Sequence, residues 1–157
     1  MKINKELENA VLLGDIIKVR ELIKKGCDLD SKDKFGRTII SDAIVKGFDD
    51  IVKVLCEAKA NINVKDKDGR TPLHFAAIHS KLEIAKILVA FGAIIDSQDE
   101  NGNTPLSNSV FYSHGVPDII LFLKEKGANP NLKNNYDITP KELAESIANY
   151  DLSYLFQ

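Results

Sequence analysis

The chain has 157 residues, of which 44% are hydrophobic and 28% charged, and its 21 basic and 23 acidic residues leave a formal net charge of −2. This composition is typical of one soluble globular domain, and it argues against nucleic acid or an anionic membrane as partner, since both require a basic excess on one face. No apolar secretory segment opens the chain, and the longest uncharged apolar stretches are far too short to span a bilayer. We therefore expect a cytoplasmic protein.

Short motifs recur along the chain every 33 residues, except that the last copy follows after 35. The stretch DKFGRT at 33–38 returns as DKDGRT at 66–71 and DENGNT at 99–104, and a related NNYDIT follows at 134–139. An Asp or Asn keeps the same register at positions 30, 63, 96 and 131. Several unrelated markers with one period indicate a repeat architecture. We predict one domain, residues 1–157, divided into units of about 5–35, 36–68, 69–101, 102–136 and 137–157.

The first two units carry the repeat in a weakened form. Polar residues at the start of 5–35 (Glu6, Glu8) are typical of a terminal cap, which needs a polar outer face for solubility. The second unit begins with the tetrapeptide TIIS at 38–41, without the Pro and His of the third, and should be locally weaker. Lys59 stands where the other units have Gly after the second helix, so we expect a left-handed residue there, at a cost of about 1–2 kcal/mol.

The third unit, 69–101, shows the local physics most clearly. Thr71 can cap a helix, and Pro72 occupies the first helical position, where a missing N–H costs nothing. A second apolar helix follows, and Gly92 ends it in the left-handed conformation. Helix pairs this short cannot bury their apolar faces alone, whereas stacked pairs can.

These residues resemble a known family. The sequence TPLHFAA at 71–77, with IAKILV at 84–89 and GA at 92–93, is similar to the ankyrin repeat almost position for position, and the resemblance covers nearly the whole chain. It implies an all-α solenoid of stacked antiparallel helix pairs with projecting hairpin loops. It also implies protein–protein recognition through the hairpin tips and the first helices, which line a concave face. In this family His74 is structural and braces the turn, and no catalytic residue is implied.

The last two units depart from the repeat in specific places. In 102–136 two additional residues fall within 112–117, which should lengthen the turn between the two helices and place Pro117 at the start of the second helix. In 137–157 the Thr139–Pro140 pair begins a helix, but Lys141 and Glu142 replace the Leu and His of the third unit. This polar substitution is again typical of a cap.

The partner-binding residues are predicted from their places at hairpin tips and at the ends of first helices. Aromatic and Arg side chains at such places are the residues that binding hot spots favour. An alternative is that Val45, Ile78 and Phe111 pack partly between neighbouring first helices. The predicted residues are Phe35, Arg37, Arg70, Ile78, Phe111, Tyr112 and Tyr136.

Chemistry of other kinds finds little support in the sequence. His74, His79 and His114 form no i, i+4 ligand pair, and Cys27 and Cys56 have no metal-type spacing, so we expect buried thiols. The acidic strings at 28–33 and 66–69 lack the closing Glu of a calcium loop and are better explained as turns. We predict no enzyme activity, no cofactor and no metal.

Several functions remain open at this stage. The main prediction is a monomer that binds a protein partner. A narrower alternative is an inhibitor or immunity protein that blocks a toxin or enzyme. Less favoured alternatives are a catalytic or metal site in the 113–117 insertion and a purely structural or designed scaffold, against which the irregular tetrapeptides argue.

Overall fold

The computed structural model describes residues 5–147 and 151–157; residues 1–4 and 148–150, which the predicted domain also includes, lie outside it. The described residues form helices and turns without a β-strand, and the predicted all-α architecture is confirmed. The helices are α1 (Lys5–Leu12), α2 (Ile16–Lys24), α3 (Ile39–Lys46), α4 (Asp49–Glu57), α5 (Pro72–Ile78), α6 (Leu82–Ala90), α7 (Pro105–Tyr112), α8 (Asp118–Glu125), α9 (Pro140–Ser146) and a 3-10 turn at Ser153–Phe156.

The helices are arranged as stacked pairs. Helices α1, α3, α5, α7 and α9 contact one another in that order, and α2, α4, α6 and α8 form a second row behind them. Neighbouring helices of the first row contact each other more extensively than those of the second. One continuous apolar core runs between the rows, with fully buried side chains from most helices, including Leu7, Ile40, Leu55, Leu73, Leu88, Leu106 and Leu123.

The first helices of three pairs begin with a Thr–Pro pair. In each, the Thr backbone is extended and the Pro is the first helical residue, where its fixed φ suits the helix and its missing N–H leaves no partner unpaired. Helix α3 begins after Thr38 without a Pro, and the buried Thr38 hydroxyl oxygen has no hydrogen-bond partner within the described residues. The three Thr–Pro pairs are Thr71–Pro72 before α5, Thr104–Pro105 before α7 and Thr139–Pro140 before α9.

The second helices end at one recurring left-handed position. Gly92 follows α6 with φ 93°, and the equivalent residue after α4 is Lys59 with φ 64°. The left-handed conformation predicted for Lys59 is therefore confirmed. Because L-residues with a side chain rarely adopt this region, Lys59 carries backbone strain that Gly92 avoids.

The Asp and Asn residues that mark the repeat join each unit to the next. The side-chain oxygen of Asp30 accepts the main-chain N–H of Asn61 at 2.8 Å, and Asn63 accepts that of Ile94 at 2.9 Å. Asp96 continues the series further along the chain by accepting the N–H of Asn129. This ladder explains the spacing of the marker, since each carboxylate or amide satisfies a main-chain donor one unit further on.

The loop tips are turns held by their own Asp residues, as predicted in place of a calcium loop. The Asp66 carboxylate accepts the main-chain N–H groups of Asp68 and Arg70 at 2.9 and 2.8 Å. Neighbouring tips are also connected, because the Lys67 N–H donates to the carbonyl oxygen of Phe35 at 2.9 Å. The tips therefore form a continuous edge of the array.

The insertion at 113–117 lengthens the turn between α7 and α8, as predicted. Pro117, however, does not begin the second helix: it is the capping residue, and α8 starts at Asp118. Ser113 is buried and bonds back to the carbonyl of Val110 at 3.1 Å, which closes the end of α7, and His114 is exposed.

Candidate partner-binding surface

The first predicted binding residues lie at the tip before α3. Phe35 is 50% exposed, with Lys34 Nζ at 4.8 Å and the Arg37 guanidinium carbon at 5.0 Å from its ring centroid. Arg37 donates from Nε and Nη2 to one carboxylate oxygen of Asp33 at 2.9 and 2.7 Å. Burial acts to raise the pKa of Asp33, but the hydrogen bonds from Arg37 outweigh it and the pKa is lowered. Phe35 is thus an exposed aromatic ring with two cations close to it.

Two cavities open between the loop tips and the first helices, and Arg70 lines both of them. The tip cavity, of about 220 Å³, is lined by Phe35, Arg37, Asp66, Arg70 and Phe75 among others. The central cavity, of about 300 Å³, is lined by Arg70, Asp99, Asn108, Phe111, Tyr112 and Leu143 among others. Phe35, Arg37, Arg70, Phe111 and Tyr112 are therefore brought together along two adjoining depressions.

Arg70 is held at one end of its side chain only. Its Nη1 pairs with the exposed carboxylate of Asp68 at 3.1 Å, a contact worth little in water. Its Nε is buried and has no hydrogen-bond partner in the part of the chain that the structure describes. Arg70 therefore lines both cavities, while its Nε–H, itself buried, has no partner among the described residues.

Phe111 and Tyr112 are two aromatic residues in contact at the end of α7. Their ring centroids lie 4.9 Å apart with an interplanar angle of 76°, an edge-to-face contact. Phe111 is 62% exposed, which is unusual for a large aromatic side chain with no partner over it. The partial packing that the alternative describes therefore covers less than half of Phe111.

Ile78 and Tyr136 lie apart from these two cavities. Ile78 is the last residue of α5 and is partly buried, as the alternative packing role would require. Tyr136 stands at the last loop tip with 68% exposure and lines neither cavity. Val45, in the position of Ile78 one unit earlier, is 39% exposed.

Sequence reasoning missed the polar residues of the central cavity. Asn108 is only 7% exposed, and its side-chain Nδ2 is buried without a hydrogen-bond partner among the described residues. Asp99, 8% exposed, uses Oδ1 to accept the main-chain N–H groups of Asn101 and Asn103 at 2.9 Å each. The repeat register could have drawn attention to Asn108, since the same place holds Phe75 one unit earlier and Leu143 one unit later.

A further apolar patch in the first unit was also missed. Leu12 and Leu13, at the end of α1, are 39% and 81% exposed, and Ile17 is 79% exposed. Leu12 stands one period before Val45 and two before Ile78. The 33-residue spacing was therefore sufficient to identify Leu12 as a residue at the end of a first helix, like Val45 and Ile78.

His74 has a structural role, as the resemblance implies. Its ring is fully buried, and Nδ1 lies 3.1 Å from the main-chain nitrogen and 2.8 Å from the hydroxyl oxygen of Thr71. Burial lowers its pKa below the ordinary value. His74 is therefore a neutral bracing residue and is not positioned as an acid or base at a cavity.

The remaining reactive groups of the described residues are not gathered into a metal site. Among residues 5–147 and 151–157, no group of three or more His, Cys, Asp or Glu side chains is placed to hold a metal ion. Cys56 is buried as expected, with its pKa raised to about 11 by burial, whereas Cys27 is only partly buried. In the same part of the chain no helix has the length and apolar character needed to cross a bilayer.

Comparison with known proteins identifies the family. The sequence matches the family model described as ankyrin repeats (3 copies) over residues 7–66 and 58–134, most of the chain. No match to a curated protein was found. Ankyrin repeats are generally protein–protein interaction modules and typically act as non-enzymatic scaffolds. From this match, together with the stacked helix pairs, the chain belongs to the ankyrin-repeat family.

Proposed function

We propose that this chain binds a partner protein through its recognition face, the surface formed by the loop tips and the first helices. The predicted contact residues are Phe35, Arg37, Arg70, Ile78, Phe111, Tyr112 and Tyr136. The observation that carries the proposal is the exposed Phe111 ring, which contacts the partly buried Tyr112 and lines the central cavity with it and Arg70.

The chemistry of the recognition face supports binding to protein. Aromatic and Arg side chains are enriched in the centres of protein interfaces because they offer large contact areas and directional hydrogen bonds. Phe111 exposes 62% of its surface, so a partner that covers it would remove substantial apolar area from water. A bound partner would thus be stabilised at the place where the fold leaves an aromatic group uncovered.

The size of the face also suits a protein. Stacked helix pairs are about 10 Å apart, so the row from the first tip to the last extends over several such steps. A surface of this length can hold an ordinary interface of about 800 Å² per partner. We propose that the chain is a cytoplasmic monomer when the partner is absent.

The test begins with the partner itself. Tagged chain would be used to recover bound proteins from cells of the source organism, and the affinity of each candidate would be measured by calorimetry. Phe111→Ala with Tyr112→Ala should weaken binding by about 2 kcal/mol or more, the size of a hot-spot loss. The matched control is Lys53→Ala with Lys86→Ala, two exposed residues of the second-helix row.

Each variant would be checked for folding by thermal melting before binding is compared. Loss of binding in the lysine pair with retention in the aromatic pair would place the interface on the opposite face and refute the proposal. Light scattering of the chain alone tests the monomer. A dimer that the Phe111 and Tyr112 changes dissolve would mean that this face binds a second copy instead.

A further inference from the structure

The loop tips differ in charge along the array. Residues 32–37 carry three basic residues and one acidic residue, and residues 65–70 carry three and two. The equivalent residues 98–103 carry two acidic residues and no basic one. Because neighbouring tips are joined by main-chain hydrogen bonds, the basic residues of the first two tips lie side by side at one end of the recognition face. The same tip position holds, in chain order, Lys34, Lys67, Glu100 and Asn135.

The first two tips combine these cations with an exposed aromatic ring. Phe35 is 50% exposed, and Lys34 Nζ and the Arg37 guanidinium carbon lie 4.8 and 5.0 Å from its ring centroid. On the next tip, the main-chain N–H of Lys67 donates to the Phe35 carbonyl oxygen at 2.9 Å, and Lys67 and Arg70 line the tip cavity with Phe35. The basic tip surface consists of Lys34, Phe35, Arg37, Lys67 and Arg70.

The fold itself neutralises only some of this positive charge. The Asp33 carboxylate accepts hydrogen bonds from its own turn and from Arg37, and the Asp66 carboxylate accepts main-chain N–H groups of the next turn. Lys34 and Lys67, by contrast, are exposed and form no ion pair among the described residues. Two cations beside an exposed ring therefore remain for a partner to neutralise.

We propose, building on the proposed function, that the basic tip surface receives an acidic segment of the partner protein, in which Asp or Glu residues stand beside an apolar residue. The carboxylates would pair with Lys34 and Lys67, and the apolar side chain would cover the Phe35 ring. Charges at the rim of an interface speed association and orient the partner more than they add to affinity. The third tip, with its exposed Glu100, would repel the same segment, so the charge pattern determines which tips that segment can occupy.

Other charged partners fit the basic tip surface less well. A nucleic acid needs cations along an extended track for its phosphates, whereas the third tip is acidic and the whole chain has a formal net charge of −2. A basic protein segment would place like charges beside Lys34 and Lys67. Charge complementarity therefore favours an acidic protein segment at the first two tips.

The first measurement selects peptides and does not need the natural partner. A displayed library of random 12-residue peptides would be selected on three immobilised full chains, each shown to melt normally: the native chain, the tip variant Lys34→Glu with Lys67→Glu, and the control Lys24→Glu with Lys53→Glu. The control makes the same change in net charge at exposed residues of α2 and α4. If the tip variant does not fold, Lys34→Gln with Lys67→Gln takes its place.

Asp or Glu beside an apolar residue should be enriched on the native and control chains and lost on the tip variant. Enrichment of basic residues, no charge preference, equal enrichment on the tip variant, or no retained peptide would each overturn the inference.

The second measurement tests the sign of the effect on one selected peptide by calorimetry. The tip variant should weaken binding about tenfold or more at about 0.1 M salt, and the loss should shrink at about 1 M, where charges act over about 3 Å instead of about 10 Å. Asp68→Asn removes an exposed carboxylate from the lining of the tip cavity, frees Arg70 from its 3.1 Å pair and should strengthen binding.

Weaker binding by Asp68→Asn, or a loss in the tip variant that salt does not reduce, would overturn the inference. A random single-stranded DNA 12-mer that binds as tightly as the peptide would identify a nucleic-acid site and would overturn it as well.

Failure of this inference is distinguishable from failure of the proposed function. If Phe111→Ala with Tyr112→Ala loses the natural partner while the tip variant associates with it at the native rate, the recognition face stands and the acidic segment is wrong. If only the tip variant slows association, the acidic segment stands and the aromatic contact is wrong. If neither variant changes binding, both are refuted. Slower association in the tip variant together with loss of binding in the aromatic variant supports both.

Discussion

The imidazole of His74 joins two neighbouring helix pairs. Its Nε2 lies 3.1 Å from the main-chain carbonyl oxygen of Asn103, 29 positions along the chain, while its Nδ1 meets the main-chain N–H of Thr71. Because an N–H can only donate, Nδ1 must accept, and the single proton of the neutral ring therefore lies on Nε2 and is donated to Asn103. One side chain thus braces the start of α5 and connects it to the loop before α7.

Removal of this ring should be costly. His74→Ala leaves the Thr71 N–H unpaired, removes one of the two hydrogen bonds to the Asn103 carbonyl, which keeps that from the Asp99 N–H, and opens a cavity in a fully buried place. We expect the free energy of unfolding to fall by about 2–4 kcal/mol, measured by denaturant titration. His79→Ala, at an exposed position five residues on, should change it by no more than about 0.5 kcal/mol. Equal effects of the two would contradict the bracing role.

Stability should also depend on pH through His74. Burial lowers the folded-state pKa of His74 below the ordinary histidine value of about 6.5, so below about pH 6.5 the unfolded chain takes up a proton that the folded chain does not. The contribution of the neutral, buried His74 to the free energy of unfolding is therefore fully present above this pH. It is lost as the pH falls through the folded-state pKa, at a rate of at most about 1.4 kcal/mol per pH unit.

The measurement compares the native chain with His74→Gln between pH 7.5 and 5. Other groups that titrate, including His79, are present in both proteins and cancel in the difference. The stability advantage of the native chain should shrink as the pH falls. An advantage that grows towards acid would mean that the ring is charged in the folded protein.

The buried hydroxyl of Thr38 should be dispensable. Its Oγ1 has no hydrogen-bond partner within the described residues, since Ser41 stands where the third unit has His74. Thr38→Val should be neutral or stabilise the protein by up to about 1 kcal/mol. The matched change Thr71→Val removes a 2.8 Å contact with His74 and should cost about 1–2 kcal/mol. Thermal melting of the two variants tests this difference. A Thr38→Val variant that melts below the native chain would mean that the Thr38 hydroxyl has a hydrogen-bond partner after all.

The strained residue after α4 offers a stabilising change. Lys59 is exposed and has φ 64°, so Lys59→Gly removes left-handed strain without loss of packing. The gain should be about 1 kcal/mol, less the entropy that Gly adds to the unfolded chain. Gly92→Ala is the reciprocal control: a Cβ there meets nothing within 4 Å, so its loss of about 1 kcal/mol would report backbone strain, less the entropy that Ala removes from the unfolded chain, without a steric clash. No gain from Lys59→Gly would mean that the strain is relieved elsewhere.

Local sequence determined most of the fold. The Thr–Pro starts, the turn-forming Asp residues and the residue after each second helix act over a few neighbouring positions, so each unit could be predicted from its own residues. Even Lys59 could be assigned a left-handed conformation from register alone. The exception was Pro117, where a proline compatible with either the cap or the first turn left the helix start uncertain by one residue.

The candidate binding surface, by contrast, depended on the tertiary structure. Stacking of neighbouring units decided that Arg70 lines two cavities, that Ile78 is partly covered while Phe111 is exposed, and that Asn108 is buried with an unused donor. None of these follows from a residue's own unit, because exposure and hydrogen bonding at the first helices are set by side chains about 33 positions away. The period of the repeat determines which positions lie on the recognition face. What such a position can bind depends on which residues surround it in the next unit.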